Sequence, residues 1–396
     1  MKAKLAIIGG FAVALAVVVL YTLRSPGGDA ARDPSASPSA SSSAAGGNAV
    51  AISMLYSTEK REWVEAAAAT FAKEHPEIAV KLVAKGSIEA AQAILDEREK
   101  PTIFSPADTL VMNLLASDWE TKNKTSILVA SGDDAPQTLV ITPLVFVAWE
   151  DRASALAKAS GGTISWRSLR KAITSNQGWP AVGGKSDWGF VKLGHTDPTR
   201  SNSGLQALFL MSLEFYARPA LDVGDLLKTD YQAYVKDIEK GVQRFEPSTG
   251  TFMTDMVRFG PSKYDISVVY ENLAISQVEN AQGRWGNLKV YYPSTTLWSD
   301  HPAAILQADW VTPVERSAAR TWLAYLRSRA VQEKALAYGF RPADPSVPVK
   351  TADAQNPFVR LAPYGVHVDI PAAARPPEGP VVRNLMTMWT RVVGAR

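Results

Sequence analysis

Between residues 50 and 115 the apolar pattern changes its period repeatedly, and that alternation admits few folds. VAISMLY at 50–56 has the continuous apolar, β-branched character of a buried strand. Ser57, Thr58 and Glu59 follow it. Trp63, Val64, Ala67, Ala68, Phe71 and Ala72 then fall on one helical face that ends near His75-Pro76. Residues 78–83 predict a second strand, and Gly86-Ser87 opens a helix through Leu95. Residues 101–104 predict a third strand and 108–115 a third helix, with Pro106 suited to its first turn. This order predicts a parallel sheet flanked by helices. Such sheets bind ligands at the carboxyl ends of their strands, which singles out the loops Ser57-Thr58-Glu59 after the first strand and Ser105-Pro106 after the third.

Residues 137–149 form a long apolar β run interrupted at Thr142-Pro143, the expected crossing into a second lobe that starts at Val145. Helices are expected over 153–159, 166–173, 226–245 (one or two) and 251–259. YDISVVY at 264–270 reads as a strand, with Glu271 and Asn272 capping a helix over 273–280. Residues 287–293 predict a strand running back to the first lobe, 298–302 a polar turn, and 314–337 an amphipathic helix. No repeat at a fixed period is visible.

The most chemically suggestive stretch is 192–216, KLGHTDPTRSNSGLQALFLMSLEFY. A short strand over 189–193 leads into a turn holding Thr196, Asp197, Pro198, Thr199, Ser201, Asn202 and Ser203. Leu205, Leu208, Phe209, Leu213 and Tyr216 then fall at helical spacing, so Ser201, Asn202 or Ser203 serves as N-cap. Hydroxyls, an amide and free backbone N–H groups at a helix start make a cradle suited to an anionic group. An ordinary capped strand–turn–helix explains the same residues.

The chain has 396 residues, 46% hydrophobic and 20% charged, which describes a globular protein. Its net charge is +3, but residues 1–50 carry Lys2, Lys4, Arg24 and Arg32 against Asp29 and Asp33, leaving +1 on the remainder. A body so close to neutral gives no global electrostatic drive toward nucleic acid. The absence of cysteine excludes disulfides, thiol nucleophiles and a lipid-bearing cysteine anchor. Residues 1–4 read as a cytoplasmic n-region and 5–23 as an uncharged apolar segment, either an uncleaved signal-anchor or a signal helix, which exports the body. Residues 24–49 are a Ser/Ala/Pro/Gly linker, expected to be disordered.

Several segments together carry a family likeness: PTIFSPADTLVMNLL, WEDRASAL, ISWRSLRKAI, KLGHTDPTRSNSGLQAL, VVYENLAI, TLWSDHPAAIL and ALAYGFRPADPSVP. In this order the chain resembles bacterial extracellular solute-binding proteins with the periplasmic-binding-protein type 2 fold, in a branch related to von Willebrand A-associated substrate-binding domains. The resemblance implies an α/β, two-lobed clamp with mixed sheets flanked by helices and two hinge strands, behind an N-terminal transmembrane or signal helix. Residues 50–142 and 290–396 are expected to form the first lobe and 143–289 the second. The implied activity is capture of a small polar solute, an oxyanion by preference, in the inter-lobe cleft for an ABC-type importer. A membrane-anchored sensory or protein-docking domain, with a permease or von Willebrand A-type partner, is the alternative. No cofactor and no nucleic acid is implied.

Carried over by position, the ligand-binding residues are Ser57, Thr58, Ser105, Thr196, Asp197, Ser201, Asn202, Ser203, Tyr270, Glu271, Ser299 and Asp300. Asp197, Glu271 and Asp300 would repel an anion unless protonated or turned away, and equally suit a cation, an amine or sugar hydroxyls. Glu271 also fits a helix-capping role and Asp197 an Asx-turn. His75, His195, His301 and His367 show no paired spacing, so no metal site is expected. With no GxSxG elbow, SxxK or paired-carboxylate motif, no catalytic residue is expected either.

Overall fold

The computed structural model describes residues 49–370 and 373–394. The expected helix over 5–23 and all but the last residue of the expected linker lie outside the described residues. Among the described residues, no helix is long and apolar enough to cross a membrane.

The first sheet is built as the alternating pattern requires. β1 (Val50–Tyr56) leads through α1 (Arg61–Glu74) to β2 (Ile78–Ala84), then α2 (Ser87–Leu95), β3 (Ile103–Ser105) and α3 (Thr109–Asn123). β1 pairs in parallel with β2 from Val50 opposite Ile78, and with β3 from Met54 opposite Ile103. Pro106 lies before α3 rather than in its first turn, because Asp108 is the N-cap and its carboxylate accepts from Leu110 N at 2.7 Å.

The chain then crosses. β4 (Gln137–Thr138) belongs to the first sheet, and β5 (Val140–Trp149) is the central strand of the second. The break falls at Leu139, not at Thr142-Pro143. Pro143 stays within β5 opposite Trp298, and the strand goes on to pair at Leu144 with Tyr270 without ending there. The second lobe continues with α4 (Glu150–Ala159), α5 (Trp166–Thr174), β6 (Leu193–Gly194), α6 (Asn202–Tyr216), α7 (Thr229–Glu239) and α8 (Thr249–Phe259). β7 (Ile266–Tyr270), α9 (Glu271–Gln277) and β8 (Leu288–Tyr291) follow. The strand expected over 189–193 shrinks to β6 because Lys192 N is taken by the Asp265 carboxylate at 2.9 Å and Leu193 N by Gly241 O. β8 does not return to the first lobe: it pairs antiparallel with β5, Phe146 opposite Tyr291.

The return comes through β9 (Trp298–Ser299), paired with β5, into β10 (Pro302–Ile305), paired antiparallel with β3 and β4. The two crossings lie side by side, and Leu139 N donates to His301 O at 3.2 Å. The helix expected over 314–337 divides into α10 (Pro313–Leu326) and α11 (Arg329–Ala335). β11 (Arg341–Pro342) then rejoins the second sheet on β5. Residues 290–396, expected together in the first lobe, are shared between lobes. After α12 (Pro357–Arg360), the final helix α13 (Gly379–Val392) puts Trp389 on α7 and Arg383 on α3.

α6 is buried from Asn202 to Leu213, which is why its apolar residues run around the helix rather than along one stripe. Another interior tie is ionic. Arg341 holds Glu271 through two bonds of 2.8 Å, and both side chains are buried. Removing one partner leaves the other charge uncompensated, so Arg341→Leu is expected to lower unfolding free energy by about 3–5 kcal/mol in urea titrations.

Candidate functional site

Chain ends from both lobes meet at the cleft. The first lobe supplies residues 57–60 after β1, 105–108 after β3, and the 299–301 return. The second supplies the starts of α6 and α8 and the junction of β7 with α9. Among the described residues, three hydrogen bonds link the lobes at the front of this cleft. The hydroxyls of Thr58 and Ser248 lie 2.9 Å apart, Asn272 Nδ2 donates to Glu59 O at 3.1 Å, and Gln206 Nε2 donates to Asp108 Oδ2 at 2.6 Å. Gly86 allows the close approach, since a Cβ there would stand 3.2 Å from Arg200 O.

The expected residues occupy several different places. Ser57 is buried beside Glu59, and Thr58 makes the cross-lobe contact. Ser105 accepts from Lys60 Nζ through both Oγ, at 2.8 Å, and its carbonyl. Ser201 is the N-cap position of α6 without a side-chain cap bond. The Ser203 hydroxyl bonds Thr196 at 2.7 Å and also Thr249, forming a hydroxyl cluster at the starts of α6 and α8. Asp197 accepts from Thr199 N and Oγ1 at 2.8 and 2.7 Å, which closes its own turn. Asn202 Nδ2 donates to Tyr270 OH at 3.1 Å, and Ser299 Oγ accepts from Gln206 at 2.8 Å. Asp300 accepts from Thr109 N at 2.8 Å and from the Thr109 hydroxyl. Glu271 neither caps α9, whose N-cap is Tyr270, nor is free in the cleft; its carboxylate serves Arg341 and Tyr292.

Lys60, Asp108, Gln206, Asn272 and His301, and Glu59 of the expected loop after β1, are not among the expected ligand-binding residues, yet all are buried here. The Lys60 ammonium spends its three N–H groups on Ser105 O, Ser105 Oγ and Pro106 O, each within 2.9 Å. Burial pulls its pKa down against the opposing pull of Glu59 and Asp300, and burial raises Glu59 despite Lys60. His301 takes the left-handed φ of 39° that turns β9 into β10. Burial, then the Lys60 charge, keep its ring neutral, and Nδ1 lies 3.4 Å from Glu59 Oε1 without hydrogen-bond alignment. Burial, then repulsion from Asp300, push the Asp108 carboxyl up to about 7; Leu110 N–H, Gln206 and Asn202 oppose the shift. Gln206 Oε1, Asn202 Oδ1, Asn272 Oδ1 and Glu59 Oε1 are buried with no partner in the protein. For Asp108 and Gln206 the signal was position, an acid or amide three residues past an expected ligand residue, and Glu59, Asn272 and His301 directly follow one. Among the described residues, no group of His, Asp and Glu can hold a metal ion.

The family model for bacterial extracellular solute-binding proteins matches residues 52–341. The chain belongs to that family. Membership places the folded body of this solute-binding protein outside the cytoplasm, and the two-sheet clamp implied by its sequence is the fold observed. Its structure is similar to a periplasmic thiamin-binding protein, with TM-score 0.60 and 13% identity over 87% of this chain and 96% of that one. It is also similar to AfuA from Actinobacillus pleuropneumoniae, bound to fructose-6-phosphate, with TM-score 0.56 and 14% identity over 87% and 99%. The sulfate-binding protein SubI from Mycobacterium tuberculosis gives TM-score 0.51 and 16% identity over 88% and 99%. No curated protein sequence matches the chain.

Asp108 sets the sign of a pH dependence. Its folded pKa, about 7, exceeds the ordinary carboxyl value near 4 that it regains on unfolding, so the folded state holds the extra proton between them. Stability from this group is complete below about pH 4 and is lost as pH rises through about 7. Asp108→Asn keeps the cap and cannot ionise. Its urea midpoint is expected to rise relative to the parent across that interval and to keep the gain above it; an unchanged difference would contradict the shifted carboxyl.

Proposed function

We propose that this solute-binding protein, anchored by residues 5–23, closes on a small polar solute between its lobes and presents it to an ABC-type importer. The observation that carries this reading is the set of cross-lobe bonds, Thr58 to Ser248, Asn272 to Glu59 and Gln206 to Asp108, around buried acceptors that the protein does not pair. A solute that bonds those acceptors only when the lobes meet has a differential affinity for the closed form, which is what shifts an open–closed equilibrium. The adjacent antiparallel crossings at Leu139 and at Asp300-His301 supply the hinge.

Similarly folded proteins carry the names of thiamin, fructose-6-phosphate and sulfate, so the clamp itself does not choose the solute. The oxyanion cradle is the one expected at the turn before α6; the start of α3 offers no second one, because Asp108 and Asp300 already hold the N–H groups of Leu110 and Thr109.

Thermal-shift screening against oxyanions, amines, amino acids and sugars identifies the solute, since saturation at 100 times its dissociation constant adds about 2.7 kcal/mol. Small-angle scattering should then show compaction on binding. Gly86 has an ordinary φ of −56° and faces second-lobe backbone, so Gly86→Leu should fold normally yet obstruct closure. Its affinity is expected to fall about tenfold or more, or about 1.4 kcal/mol, with compaction lost. Binding without compaction in the parent protein would remove the clamp mechanism.

A further inference from the structure

We infer that the solute is an organic cation, bound through ammonium or guanidinium N–H groups by Asp108, Asp300, Glu59 and the amide oxygens of Asn202, Gln206 and Asn272. This rests on the inter-lobe reading above. The unpartnered atoms have a chemical bias. Asn272 Nδ2 is committed to the Glu59 carbonyl and Gln206 Nε2 to the Asp108 carboxylate and Ser299, which leaves the two amide oxygens as acceptors. Glu59 Oε1 and Asn202 Oδ1 add two more. All four side chains are at least nine-tenths buried. A ligand that satisfies them must donate hydrogen bonds.

The charges point the same way. Three carboxyl groups, Glu59, Asp108 and Asp300, face one ammonium, Lys60, whose N–H groups are spent on first-lobe oxygens. Arg341 is committed to Glu271 and to the carbonyls of His367 and Val368. The donors beside the cluster include the Ser57 and Tyr270 hydroxyls and one N–H of the neutral His301 ring, together with the backbone at the start of α6. An anion placed there would meet three carboxyl groups while Lys60 and Arg341 are already committed, whereas a cation would favour the charged forms of Asp108 and Glu59 that burial opposes.

Isothermal titration of the full chain at pH 7, in two buffers of different ionisation enthalpy, tests this. The cationic probes are putrescine, arginine and methylammonium, the anionic ones sulfate, phosphate and molybdate, and the neutral one glucose. A cation lowers the pKa of Asp108 and Lys60, so its binding should release protons; an anion should take them up. We expect at least one cationic probe to bind with proton release, and Asp300→Asn to weaken it at least tenfold without moving the melting point by comparable measure. Asp108→Asn, which keeps the cap, gives the same readout should Asp300→Asn fail to fold. Binding by an anion with proton uptake, by glucose alone, or by no cationic probe overturns the inference. Failure of the clamp is separately visible: cation binding without compaction, and untouched by Gly86→Leu, leaves the charge class standing and removes the inter-lobe site.

Discussion

The hydrogen bond from Leu139 N to His301 O joins the two places where the chain passes between sheets, and the rest of the cleft is arranged from that pivot. β4 and β10 pair on one side of it and β5 and β9 on the other, so a single antiparallel ribbon runs from one sheet into the next. A ribbon bends where its ladder is thinnest, and here that is one residue on one strand and two on the other. His301 turns through a left-handed backbone, unusual for a side chain this bulky and retained where neighbours over-determine it. Its ring is held edge-on by Phe340, with centroids 5.3 Å apart, so the pivot is packed as well as bonded. Asp300, beside it, fastens the pivot to the start of α3 through Thr109.

Closing the lobes puts polar atoms where water does not reach. Each buried acceptor without a partner costs about 1–3 kcal/mol, whereas a well-made hydrogen bond returns about 0.5–1.5 kcal/mol net. The three cross-lobe bonds therefore offset only part of the burden of Asn202, Gln206, Asn272 and Glu59. That imbalance is useful in a clamp. A form too stable by itself would stay shut, and a solute that completes the network converts a costly arrangement into a favoured one. Asp108 follows the same logic, since burial beside Asp300 favours its neutral form and a cationic neighbour would favour its charge.

The first sheet was legible because its signals are local: β1, α1, β2, α2 and β3 start and stop within a residue or two of where apolar period, Gly and Pro indicate. The crossing was misplaced to Thr142-Pro143 because a proline reads as a break, whereas a strand tolerates it where no ladder N–H is needed. β8 was sent to the wrong lobe because nothing local states which sheet edge a short strand joins. At the cleft, the hydroxyl-rich turn at 196–203 announced itself by composition. Lys60 and Glu59 did not, since a Glu-Lys pair at the start of an amphipathic helix ordinarily faces water. Glu271 stood out as an acid at a strand end, and its partner Arg341 lies seventy residues away in sequence.

The turn at 196–203 has a support that does not depend on any solute. His195 Nε2 lies 2.8 Å from Glu239 Oε2, and its Nδ1 2.9 Å from Thr196 O. Burial works against a charged imidazole, but the Glu239 carboxylate outweighs it and raises the His195 pKa. The other Glu239 oxygen accepts from Trp389 Nε1 at 2.8 Å, so α13 closes the back of the same buried network. Its tie to the first lobe is different in kind: Arg383 meets Asp118 and Ser117 on α3, and the Arg383 and Asp118 side chains are 42% and 32% exposed. Exposed pairs of that sort contribute about 0–1 kcal/mol. In the proposed opening of the lobes, the surface pair would be the one to yield, and α13 would travel with α7 and the turn it braces. The proposed clamp would then keep the second-lobe half of the cleft in shape and leave the energetic decision to the polar contacts at the front.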